Sequence, residues 1–169
     1  MSNLKSQYST EHIISYLNNF LGQSNSFVAL LINDAAENVV SRDATIMDIV
    51  NLELSGDVPN NYQRQLVNLN SATLIDLVDN NNDLILDVEG NTIPVAQATA
   101  NKIVFESIGG TWEQATHICY LREAELTVNS TEGEIVRIDK TLPNDVVELK
   151  HEEKFTSTPT FKMASSVPQ

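Results

Sequence analysis

The sequence predicts a mainly β protein, an antiparallel β-sandwich of jelly-roll-like type with helical elements at its N-terminal end. Three observations carry that expectation. Helical periodicity is confined to the first third of the chain. After Pro59 the apolar residues recur instead in roughly seven or eight short extended segments spaced about ten residues apart. Turn-forming clusters such as Asn80-Asn81-Asn82 and Glu89-Gly90-Asn91 separate them, as residues that tolerate positive φ do. With 41% hydrophobic residues in 169, the chain has enough apolar side chains for a core of one-domain size.

The first element runs from Thr10 to Leu21. Ile13, Ile14, Leu17, Phe20 and Leu21 share a face, Thr10 is a suitable N-cap, Glu11 suits the first turn and Gly22 is a good stop. Such a helix either docks on its own domain or packs on a neighbouring subunit. Phe27 to Ile32 is a short, continuous apolar run and reads as a buried strand. A second helix is expected over Asp43 to Leu54, with Ile46, Ile49 and Val50 on one face and Asp43 as cap; Ser55-Gly56-Asp57-Val58-Pro59 ends it. Strands then follow at Tyr62–Leu69, Asp83–Val88, Lys102–Ser107, Thr116–Thr127, Glu134–Leu142, Val146–His151 and Thr158–Met163. The organisation expected is a helical extension at 1–26, a sandwich with one inserted helix at 27–155, and a C-terminal strand or arm at 156–169. That last segment, with Pro159, Phe161, Met163 and Pro168, suits either a final strand or an arm laid on a neighbouring subunit.

Charge narrows the function classes. Twenty-three acids against ten lysines and arginines give −13. Nucleic-acid affinity rests on neutralising phosphates, so DNA and RNA are not expected partners, and an anionic membrane surface is disfavoured likewise. No apolar run approaches the about eighteen residues that span a bilayer. Met1 to Ser9 lacks a basic start and an apolar stretch, so synthesis in the cytoplasm without a standard signal is expected. The one cysteine, Cys119, excludes an internal disulfide and a cysteine-based zinc site.

The candidate chemistry is thin. Asp79, Asn81 and Asp83 fit the start of a calcium loop, yet Leu84 stands where glycine would allow the sharp turn and Gly90 where a bidentate glutamate belongs. An ordinary turn is therefore the stronger reading. His117 and Cys119 share a strand face and could form a metal or base–nucleophile pair. Neighbouring Glu113, Glu123 and Glu125 oppose a thiolate, and a buried thiol beside a satisfied histidine is the simpler expectation. The pairs Glu123/Glu125, Glu132/Glu134 and Glu152/Glu153 are what so acidic a chain produces by chance. Asn129-Ser130-Thr131 reads as a turn rather than a glycosylation site, and Gly109-Gly110 as a turn rather than a phosphate cradle. Trp112 is a core or rim anchor, or else a ligand platform. Arg64 is an unusual cation here, and a surface salt bridge of little weight is its simplest reading. No nucleotide, phosphate-loop or serine-hydrolase motif is present, so neither cofactor nor catalysis is expected.

Several segments together carry a resemblance. They are the apolar strand Phe27–Ile32, the stretch Ala44–Gly56 with its Glu53-Leu54, Tyr62-Gln63-Arg64 within Asn61–Val67, Phe105 within Asn101–Glu106, and Thr111–Leu121 with Trp112 and His117. Leu142-Pro143 and Val146-Val147 add a late match. This resembles a family of small structural proteins of tailed-bacteriophage virions. The family's glycine-rich hairpin is absent, since Leu126 to Gly133 keeps only Gly133. The resemblance covers roughly residues 27–153 and implies a virion location and a non-enzymatic tail, fibre, baseplate or capsid-decorating role. It further implies a homo-oligomer with other virion proteins as partners, and structural roles for Tyr62, Arg64, Phe105, Trp112 and His117. Arg64 would then pair with a carboxylate inside the sandwich. The alternative from another class is a carbohydrate-binding β-sandwich that stacks sugars on Trp112 and Tyr120 and uses the Asp79–Asp83 turn for calcium.

Overall fold

A computed structural model describes residues 9–22, 27–35, 40–41, 43–55, 61–142 and 147–165. Along these residues the elements are α1 (Thr10–Gly22), β1 (Phe27–Ile32), α2 (Ile46–Val50), β2 (Gln65–Leu66), β3 (Thr73–Asp76), β4 (Pro94–Thr99), β5 (Ile103–Glu106), β6 (His117–Arg122), β7 (Glu134–Lys140), β8 (Lys154–Ser157) and β9 (Thr160–Ala164). The fold is mainly β, its sheets are antiparallel and one longer helix leads them, which makes it β-sandwich-like. The chain divides into two units, one from segments 1–23, 69–101 and 159–169, the other from 24–68 and 102–158. The terminal segments expected as an extension and an arm thus belong to one unit with 69–101.

In that first unit the sheet order is β3-β4-β9. β4 is central, and its small residues meet larger ones on β9: Ala98 lies opposite Phe161 and Ala96 opposite Met163. α1 packs on this sheet with Ile13 and Leu17 buried, and Asn18 Oδ1 accepts from the Ala72 N–H at 2.7 Å. The side chains of Phe20 and Leu21, expected on the same face, lie outside the described residues. Ser9, not Thr10, caps the helix: its Oγ accepts from His12 N at 3.2 Å. β3 and β4 escape a periodicity reading because Pro94-Val-Ala-Gln-Ala-Thr99 is poor in β-branched and aromatic residues. The pairing of Val95 with both Ile75 and Ala164 makes it a strand.

In the second unit a four-stranded sheet runs β2-β1-β6-β7, and β5 pairs with β8. β1 is buried at all six positions, which explains its unbroken apolar sequence. Val28, Leu30 and Ile32 pack with Ile49, Cys119, Leu121 and Ala124. Alternation sends Phe27, Ala29 and Leu31 to the opposite face, where Phe27 stacks on Tyr120 and Tyr120 meets Ser157 of β8 at 3.2 Å.

Four expected elements are corrected. The second helix is only Ile46–Val50, capped by Thr45 rather than Asp43: Thr45 Oγ1 accepts from Asp48 N at 3.3 Å and Asp48 Oδ2 from Thr45 N at 2.8 Å, a capping box. It ends early because Leu54 N donates to Leu31 O at 3.1 Å, drawing residues 53–54 alongside β1. Gly56 to Pro59, expected as its stop, lie outside the described residues. The strand expected at Tyr62–Leu69 is reduced to β2, since Tyr62 and Arg64 turn into the interior. Asp83–Val88 makes single bridges, Val78 with Leu84 and Leu86 with Thr92. Val147 bridges Ala115, and Val146 lies outside the described residues.

Gly133 closes the β6–β7 connection at φ +118°, where an added Cβ would sit 2.7 Å from Ala124 Cβ and 3.0 Å from the Arg122 carbonyl oxygen. Gly90, at φ +84°, has nothing within 4 Å. Gly133→Ala is therefore expected to cost about 2–3 kcal/mol and Gly90→Ala about 1 kcal/mol. Urea unfolding of the two variants checks the difference, and equal losses would mean the backbone gives way at Gly133.

Candidate functional site

The second unit holds a buried polar cluster built from the residues that carried the resemblance. Glu53 follows α2 beside β1, and Arg64 lies two residues beyond Tyr62 on the segment leading into β2. Their side chains are fully buried and meet in a fork: Arg64 Nε donates to Glu53 Oε1 and Nη2 to Oε2, both at 2.8 Å. Arg64 Nη1 also donates to Glu125 O at 3.0 Å, and Nη2 to Ser130 O at 2.7 Å. Glu53 Oε2 accepts from the Asn129 N–H at 2.9 Å. The ion pair thus ties the β6–β7 loop to the interior, and Asn129 sits there in a turn at φ +64°. A surface salt bridge is not what Arg64 makes.

Tyr62 completes the cluster. Its hydroxyl accepts from Leu31 N at 2.8 Å and donates to Glu53 Oε1 at 3.3 Å. Its ring stacks on Phe105 at 6.2 Å between centroids and meets Trp112 edge-on at 5.4 Å. Phe105 in turn lies against Phe155 at 6.3 Å. Burial, followed by the nearby Glu53 carboxylate, holds the Tyr62 phenol well above its usual range. Burial also raises the Tyr120 phenol and the Cys119 thiol. All three hold their protons to higher pH in the fold than in the unfolded chain, where they ionise from about pH 9 to 10 upward. The unfolded state then binds fewer protons, so stability is fully present below that range and is lost as pH rises. Melting temperature is expected to hold up to about pH 9 and then fall, with Tyr62→Phe showing a shallower fall.

His117 is buried at the start of β6, in a second cluster. Thr116 Oγ1 accepts from Asp34 N at 2.8 Å and lies 2.8 Å from His117 Nδ1, while Thr141 Oγ1 donates to Ala115 O at 2.7 Å. Cys119 lies among the apolar residues that face α2. Among the described residues no three of His, Cys, Asp and Glu gather to hold a metal ion.

The calcium candidates form a turn with its own hydrogen bonds. Asp79 Oδ1 accepts from Asn81 N at 2.8 Å and Asp83 N at 2.9 Å, and Asn82 takes φ +69°. Eight residues on, the pattern repeats: Asp87 Oδ1 accepts from Glu89 N and Asn91 N, both at 2.9 Å, with Gly90 in the positive-φ position. The Asn91 N–H is the main reason the Asp87 carboxyl is held below its usual range.

Trp112 and Tyr120 are 4% and 1% exposed, so neither offers a ring face to a sugar. Of the carboxylate pairs, Glu134 turns to Arg122 and Glu153 to the Lys150 N–H.

Sequence reasoning missed Glu53 as the partner of Arg64 and missed the bonds that Thr116 makes to the Asp34 N–H and Thr141 to the Ala115 carbonyl. A lone acid between Leu52 and Leu54, in a stretch that must pack on a buried strand, was the available signal for the first. Compared with known proteins, the chain matches no family model, no curated protein and no solved structure.

Proposed function

We propose that this chain is a non-enzymatic structural component of a tailed-phage virion. In this reading it is a tail, fibre, baseplate or capsid-decorating subunit that joins its neighbours through sheet edges and terminal segments. One observation carries the proposal. Of the five residues to which the resemblance gave structural roles, Tyr62, Arg64, Phe105 and Trp112 pack with Glu53 as one buried cluster, while His117 lies in another. The cluster's chemistry suits a scaffold, since its two charges are spent on each other and on the β6–β7 loop rather than aimed at a cleft. The acidic balance fits a subunit that stays soluble until it meets its partners.

Quantitative mass spectrometry of purified particles from the source culture, scaled to the major capsid protein, tests the reading. The expected result is enrichment at a fixed copy number. Low copy number assigns a tail location and high copy number a capsid location. Absence from the particles overturns the proposal.

A further inference from the structure

The first unit's sheet has two edge strands, β3 and β9, and it is β3 that continues into hairpins with several large exposed apolar side chains. Among the described residues no strand lies beyond β3 in the order β3-β4-β9. The Leu77 N–H bonds Ile93 O at 3.0 Å, so odd-numbered residues of this strand turn their backbone groups toward β4 and even-numbered ones, Leu74 and Asp76, turn theirs outward. Leu74 is 45% exposed. The two small hairpins that continue β3 add Leu84, Leu86 and Val88 at 55%, 47% and 65%. Leu84 stands opposite Val78, in the single bridge of the first hairpin. Leu86 lies two residues on from Leu84 in extended chain, so the two share a face.

The charge around these groups has one sign. Residues 69–101 contain Asp76, Asp79, Asp83, Asp87 and Glu89 and no lysine, arginine or histidine. A second copy of the same edge would set carboxylates against carboxylates, which is unfavourable across paired strands. An anionic lipid surface or a nucleic acid is repelled for the same reason.

We infer that the outer edge of β3, with the apolar side chains of the hairpins that continue it, docks an extended segment of a partner protein whose apolar residues are flanked by lysines or arginines. The backbone supplies strand addition, the leucines supply burial and the acids select the partner's sign. The inference rests on the proposed virion role and deepens it by naming the chemistry of the partner.

The probe is a short peptide of alternating lysine and valine, titrated into isotope-labelled full-length protein, with an alternating glutamate–valine peptide as its opposite. Amide shift changes concentrated at 73–92 are expected for the basic peptide and none for the acidic one. Leu84→Lys combined with Leu86→Lys, both at exposed positions, is expected to weaken binding about tenfold or more. Leu126→Lys in the other unit leaves it unchanged. Shift changes spread over the acidic surface, equal binding by the double variant, or concentration-dependent self-association through 73–92 would each overturn the inference. Presence in particles without peptide binding removes the inference alone. Peptide binding with absence from particles removes the virion role alone.

Discussion

Arg64→Ala is expected to lower unfolding stability by about 3–5 kcal/mol, the range found when one partner of a buried ion pair is removed and the other stays charged. Glu53 would keep the Tyr62 hydroxyl and the Asn129 N–H but lose the fork that balances its charge away from water. The Glu125 and Ser130 carbonyls would lose their donors at the same time. Two readouts follow. The urea midpoint should fall steeply, and amide exchange in the β6–β7 loop should rise beyond what the global loss explains, because Arg64 ties that loop down. Glu53→Leu with Arg64→Met removes both charges and fills similar volume, and should recover much of the stability while leaving the loop loose. An unchanged melting temperature for Arg64→Ala would mean the pair carries no weight in the fold.

That pair marks where the sequence is legible. Unbroken apolarity in Phe27–Ile32 reads directly as a buried strand, because a segment covered on both faces needs no alternation. Phe105 is legible for a related reason: Ile103 and Phe105 alternate with half-buried residues, and β5 buries just those two. β4 is not legible. Its alanines are small because Phe161 and Met163 stand opposite them, a fact that lives in the pairing and not in the strand's own pattern. The early end of α2 is hidden likewise, since residues that continue a helical stripe, Leu52 to Leu54, are taken by β1. A tertiary hydrogen bond outweighs a periodicity worth tenths of a kcal/mol per residue.

The same limit applies to the site. Tyr62, Arg64, Phe105 and Trp112 are visible as single residues of unusual type in an acidic, aromatic-poor chain. What they do depends on partners on other elements: Tyr62 on Leu31, Glu53, Phe105 and Trp112, and Arg64 on Glu53 and on the Glu125 and Ser130 carbonyls. Asp79 shows the opposite case. Its neighbours within four residues supply everything it binds, so the turn could be read from the sequence and the calcium loop discounted there.

Tyr62→Ala is the second substitution expected to cost about 3–5 kcal/mol, here through a cavity between Phe105 and Trp112 as well as a lost hydroxyl. Tyr62→Phe separates the two contributions. It keeps the ring contacts and removes only the oxygen, leaving the buried Leu31 N–H in β1 without its acceptor, at an expected cost of about 1–3 kcal/mol. If the ring dominates, the Phe variant unfolds close to the parent and the Ala variant does not. If the hydroxyl dominates, the two variants unfold together, because β1 then depends on its bond at Leu31 more than on aromatic packing. The ring is expected to dominate. Phe105, Trp112 and Phe155 form a continuous aromatic run around it, while β1 has β6 as a full-length neighbour to hold it in place. Combining Tyr62→Phe with Arg64→Ala should cost less than the two separate losses added, since both act through Glu53. Strict additivity would show that the tyrosine and the arginine serve the fold independently, and that the cluster is two contacts rather than one unit.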